Sequence, residues 1–159
     1  MRTRPLVPMV VGLALMLIAS SFQPARANTT VTIVAVGDVA MAKGGQAKTA
    51  ALTKNLKPQQ VLLLGDLVYK SGTDQEFKKY FLPKWKNLLP KTWAVPGNHE
   101  YKTANAAGYR NLVTQNSMPV TGDNLWWVKQ TGAWSVIGLD SEALAGATGD
   151  KQLEFVQQA

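Results

Sequence analysis

The 159 residues contain no cysteine and a single histidine, His99. The missing cysteine excludes disulfides, thiolate metal sites and thiol nucleophiles, so any metal must be held by Asp, Asn, Tyr, Glu or that one imidazole. Acidic residues are scarce as well, 10 against 17 basic. Long apolar runs are absent except near the start, where the basic "MRTRP" precedes the apolar stretch Val10 to Ala19 and a small-x-small "ARA". That order is the anatomy of a secretory signal peptide over residues 1–27, cut after Ala27. About ten apolar residues are too few to span a bilayer, which needs roughly 20. The expected product is therefore secreted or periplasmic, with no membrane partner once the leader is gone.

Removing Arg2, Arg4 and Arg26 from the 17 basic residues leaves 14 against 10 acidic, a formal charge of +4 for residues 28–159. Such a balance favours anionic substrates without demanding nucleic acid, which would want denser charge interleaved with base-reading side chains. No internal repeat or low-complexity tract divides these residues, and their number suffices for one core.

"TVTIVAV" (30–36) and "QVLLLG" (60–65) read as buried strands that stop at glycine, and "GQAKTAALTKNL" (45–56) between them reads as a helix ending before Pro58. A strand, helix, strand unit favours a parallel pair. "TDQEFKKYFLPKWKNLL" (73–89) opens with a Thr-x-x-Glu capping box and is expected to form two short helical pieces broken by Pro83. "TWAVPG" (92–97) is a third strand, "GYRNLV" (108–113) a helical turn, and "NLWWVKQTGAWSVIGLD" (124–140) a hairpin turning at Thr131-Gly132. Trp126 and Trp127 are expected on opposite faces of it. "GDKQLEFVQQA" (149–159) begins an amphipathic helix with Leu153, Phe155 and Val156 on its apolar side, and the chain stops within that pattern. A fragment of a longer protein is the expectation.

Each of the three buried strands runs at once into a turn with ligand-type side chains: "VGDVA" with Asp38, "LGDLVY" with Asp66 and Tyr69, "PGNHE" with Asn98, His99 and Glu100. In an α/β sheet such turns gather at the carboxyl edge of the strands, where sites are usually built. Singly, each Gly-Asp is an ordinary turn or cap. Together they supply carboxylates, an amide oxygen and a phenolate, hard donors suited to Mn, Mg, Fe(III) or Zn. Two cations roughly 3.5–4 Å apart can clamp a phosphate and ready a water to attack it, and Asp66 on the middle turn is the natural bridge. "LDSE" (139–142) has no histidine partner for a hydrolytic triad, and "AKGGQAK" lacks the Gly-Lys-Ser/Thr of a phosphate loop.

The series G-D, G-D-x-x-Y, G-N-H-E resembles the first three motif blocks of the calcineurin-like metallophosphoesterases, and specifically the purple acid phosphatase-like branch, from about Thr30 to the end of the chain. The resemblance implies an α/β fold of two facing β-sheets flanked by helices, of which residues 28–159 would be the N-terminal part. It further implies two metal ions (Fe, Mn or Zn), with Asp38 and Tyr69 on one, Asp66 bridging and Asn98 on the other, and His99 beside a phosphoester substrate. Glu100 is the candidate to orient His99 as a general acid. Ala40 stands where many relatives carry Asp-x-His, as is normal in the purple branch. The family's downstream V-x-x-H and G-H-x-H blocks have no counterpart here. That departure motivates a second expectation, an exported non-catalytic binding module with a degenerate metal site.

Overall fold

The computed structural model describes residues 30–159, so the expected leader and its cleavage site lie outside the described residues. Strands β1 (Ile33–Val36), β2 (Gln60–Leu64) and β3 (Thr92–Val95) form a parallel sheet in the order β1-β2-β3. Helix α1 (Gln46–Asn55) makes the first crossover. The second runs through α2 (Asp74–Glu76), a π-helical turn (Phe77–Phe81), α3 (Leu82–Trp85) and a 3-10 turn (Leu89–Lys91). Two successive crossovers of the usual hand place their helices on one face of the sheet, and α1 indeed packs on α3. The α/β class and the parallel sheet expected from the sequence are both present.

Register decides where the site can form. Val36 pairs with Leu63 and Leu64 with Val95, so the three strands finish within a residue of one another. Their following turns consequently emerge on one edge.

The strands are not buried alike on both faces. Val61, Leu63 and Ala94 are fully buried beneath the helices, whereas Leu64 is 58 % exposed and β1 is only partly covered. The apolar runs reflect one well-packed face and a second face that the hairpin covers in part.

Over residues 73–89 the structure departs from two helical pieces. The Thr73 hydroxyl accepts from the Glu76 amide and the Glu76 carboxylate accepts from the Thr73 amide, so the capping box forms, but the helix then continues through Pro83. A wide π turn immediately precedes the proline and opens the backbone where the pyrrolidine ring would otherwise strike a carbonyl one turn back. Phe77, Phe81 and Trp85 then line up on the buried side, with the Phe81 and Trp85 rings stacked at 5.9 Å. Burial of a side chain of this class contributes about 1.5–3 kcal/mol each.

Helix α4 (Ala107–Gln115) is longer than the single turn expected and buries Tyr109, Leu112 and Val113. The hairpin β4 (Trp127–Thr131) and β5 (Trp134–Gly138) turns at Gly132-Ala133, one residue later than the sequence suggests, because Gly132 takes the positive φ (58°) required early in a two-residue loop. Trp126 and Trp127 are both buried, neither offering a surface platform. The Trp127 indole donates to the Ala94 carbonyl at 2.6 Å and fastens the hairpin to β3.

Asp140 caps α5 (Ser141–Leu144) and exchanges two backbone hydrogen bonds with the Gln152 amide of α6 (Gly149–Gln158), at 2.8 and 2.9 Å. Thus the Asp140 of "LDSE" is structural, and the inward side of α6 carries Gln152 and Gly149, while Leu153 is 52 % exposed. No helix among the described residues is long and apolar enough to cross a membrane.

Candidate metal centre

At the carboxyl edge of the sheet the three turns interlock through backbone hydrogen bonds. Val39 N–H donates to the Asp66 carbonyl at 2.9 Å and Tyr69 N–H to the Ala40 carbonyl at 2.8 Å, so the first turn lies directly on the second. Gly65 and Gly97 bring the second and third together, since a β-carbon on Gly65 would sit 3.0 Å from Gly97 Cα. The left-handed backbone falls on the aspartates themselves: φ is 52° at Asp38 and 50° at Asp66. Asp tolerates this region better than most residues, and such conformations are typical of functional turns.

This packing brings three oxygens together. The Tyr69 hydroxyl hydrogen-bonds the Asp38 carboxylate and, at 2.9 Å, Asp66 Oδ2. The other Asp66 oxygen accepts from the His99 backbone N–H at 3.0 Å, which leaves Asp66 central to all three turns. Burial, reinforced by the two carboxylates, pushes the Tyr69 phenol well above its ordinary pKa. A cation among these oxygens would reverse that bias, because it favours the ionised phenolate.

The donor set fits a hard cation, with Asp38, Asp66 and Tyr69 as its oxygens. Asn98 is exposed on the same edge and lines, with Asp38 and Asp66, a cleft of about 360 Å³ that also includes Glu142. Among the described residues no three His, Asp or Glu side chains converge on one point. A metal held here would have to draw on the phenol and the amide beside the two carboxylates.

His99 and Glu100 separate. The Tyr69 and His99 rings are 4.2 Å apart, and His99 Nδ1 lies 2.6 Å from the Lys70 carbonyl oxygen. Glu100 is fully buried and accepts from the Val68 and Gly97 amides at 3.1 and 2.8 Å. Glu100, expected to orient His99, instead ties the second and third turns together, and the group beside His99 Nδ1 is the Lys70 carbonyl. Burial, with Asp66 nearby, raises the Glu100 pKa despite those hydrogen bonds.

Lys102 was not singled out from the sequence, yet its ammonium lies 3.0 and 3.1 Å from the two ring nitrogens of His99. The signal was its position three residues on, in what becomes a helical turn (Glu100–Lys102).

A sequence model of the calcineurin-like phosphoesterases matches residues 31–150, which include all three turns. The chain belongs to this family. Compared with curated proteins, it finds no match. Membership carries a phosphoesterase-type, hydrolytic function and the metal dependence general to the family.

Proposed function

We propose that the protein is an exported phosphoesterase of the purple acid phosphatase-like branch, which hydrolyses phosphate esters at a two-metal site. The observation that carries this reading is the convergence of Asp38, Asp66 and Tyr69 on one edge of the sheet in a chain of this family. Asp38 and Tyr69 would hold one ion, Asp66 would serve both, and Asn98 would serve the second. When bound, the cations supply a nucleophile from water and offset charge on the phosphate. His99, placed by the Lys70 carbonyl and the Tyr69 ring, faces the leaving oxygen and delivers a proton or hydrogen bond to it. The +4 charge of residues 28–159 assists capture of an anionic ester.

Asp66→Asn tests the reading, because Asn also tolerates the left-handed backbone at this position. In the exported full-length protein the variant should stay folded while metal content and phosphatase activity collapse. Retention of both would end the proposal. Tyr69 reports the metal: a tyrosinate on Fe(III) absorbs visible light, so colour that bleaches in Tyr69→Phe identifies iron, and a colourless active protein identifies Mn or Zn.

The absence of three converging His, Asp or Glu side chains among the described residues favours one second reading, a binding module that has lost its metal. It predicts a melting temperature indifferent to chelator, whereas a metal bound to the native state raises it.

A further inference from the structure

A second cavity, of about 810 Å³, is lined by Tyr69 and His99 but by neither Asp38 nor Asp66. Met41, Ala42 and Tyr80 contribute apolar wall, and Lys43, Lys70 and Lys102 stand around it. The Lys79 ammonium lies 5.4 Å from the Tyr80 ring centre and helps fix that ring. The one carboxylate in the lining, Glu76, is engaged elsewhere. Its oxygens accept from the Lys70, Ser71 and Thr73 amides and from the Thr73 hydroxyl. Lys43, Lys70 and Lys102 thus stand among the lining residues without a free carboxylate beside them. The volume suits an aromatic molecule the size of a nucleoside or substituted phenol.

We infer that this cavity is the leaving-group subsite, and that the preferred substrate is a phosphate monoester of an aromatic alcohol carrying a second negative charge. The inference rests on the phosphoesterase reading. Tyr69 links the cavity to the aspartates: its hydroxyl meets Asp38 and Asp66, while Tyr69 and His99 both line the cavity. A phosphoryl group on the aspartate side leaves the ester oxygen at His99 and the aromatic body against Tyr80 and Met41. Lys43 and Lys102 then meet the additional anion. In the reaction an oxygen–phosphorus bond forms from water, the bond from phosphorus to the aryl oxygen breaks, and the proton released from water ends on the departing phenol. Inorganic phosphate is the second product.

The test compares kcat/KM for 4-carboxyphenyl phosphate and its uncharged amide, 4-carbamoylphenyl phosphate, in the full-length exported protein. A partly solvated ion pair predicts a preference for the carboxylate of roughly 1.4-fold to fivefold. Lys43→Met should bring that ratio toward one. Lys43 is the chosen position because Lys102 touches the His99 ring. Tyr80→Ala should raise KM for both aryl esters but not for methyl phosphate. Binding of 4-hydroxybenzoate, followed by NMR line broadening, reads the cavity without turnover. Hydrolysis of methyl phosphate with a ratio of one in the parent protein overturns the subsite and leaves the phosphoesterase reading intact. Absence of all hydrolysis overturns the phosphoesterase reading and the leaving-group assignment with it, and 4-hydroxybenzoate binding that Lys43→Met weakens would then leave the cavity as a binding site for an aromatic anion.

Discussion

Gly37, Gly65 and Gly97 occupy equivalent places in the sequence, each between a strand and a polar residue, yet the structure gives them unequal tasks. A β-carbon at Gly97 would overlap Asp66 Oδ1 and the Asp66 backbone nitrogen and stand 3.0 Å from Asp66 Cγ. Since one of these atoms is backbone, rotating a side chain cannot clear the clash, and the third turn must move off the second. Overpacking of this kind costs about 1–3 kcal/mol. At roughly 2–4 °C per kcal/mol for a chain of this size, Gly97→Ala should lower Tm by about 2–12 °C. It should also displace Asp66 and with it the bond from His99 N–H, so metal retention should fall in parallel. At Gly37 the nearest atom to an added β-carbon is Leu64 Cβ at 3.8 Å, an ordinary contact, and φ is not in the left-handed region. Gly37→Ala should leave Tm unchanged or raise stability by about 0.4–1 kcal/mol through the unfolded chain. Thermal unfolding of the two variants beside the parent, followed by metal analysis, checks the pair. Equal losses at both positions, or a Gly97→Ala protein as stable as its parent, would refute the interlocked-turn reasoning.

Glu100→Gln replaces one acceptor oxygen by an amide donor, so either Val68 N–H or Gly97 N–H loses its partner in a fully buried place; denaturant unfolding should register a loss of about 1–3 kcal/mol. A Glu100→Gln protein of parental stability but altered pH–rate profile would instead restore Glu100 to the chemistry. Thr73→Ala removes the cap of α2 and should cost about 0.5–2 kcal/mol by the same measurement. Burial by itself raises the Glu76 pKa, but its hydrogen bonds from Thr73, Lys70 and Ser71 outweigh this and leave it below the usual carboxylate value. The sign follows: the stabilisation is complete above the unfolded pKa and is lost as pH falls through the folded one. Glu76→Gln should therefore narrow the Tm difference from the parent as pH drops below about 4.5, and a difference independent of pH would contradict the assignment. Trp127→Phe, which deletes the indole bond to the Ala94 carbonyl, should destabilise by about 0.5–1.5 kcal/mol and speed amide exchange in β4 and β5.

The local code accounts for much of the molecule. β-branched and leucine runs ending at glycine marked β1, β2 and β3, the Thr73/Glu76 box marked the start of α2, and the residue types at 38, 66, 69 and 98 marked the edge where donors would gather. All of these depend on near neighbours in the chain. The passage of the helix through Pro83 depended on a wide turn that Phe77, Phe81 and Trp85 stabilise by packing together in the core, and no propensity of Pro83 itself announces it. Glu100, next to His99 in sequence, is turned inward because two buried amides on neighbouring turns need an acceptor, whereas Lys70, 29 residues away, supplies the carbonyl that orients the imidazole. Likewise the cavity beside Tyr69 is assembled from segments around residues 41, 70, 80 and 102, with no common motif. Sequence by itself determined which elements form and which chemistry the strand ends carry, since both follow from residue type and short spacing. Only the tertiary structure decided which glycine bears the packing, which acidic side chain faces the strand-end edge and which is buried, and which segments enclose the cavity beside Tyr69. Those outcomes arise from contacts between residues about 30 positions apart, which a linear pattern does not encode.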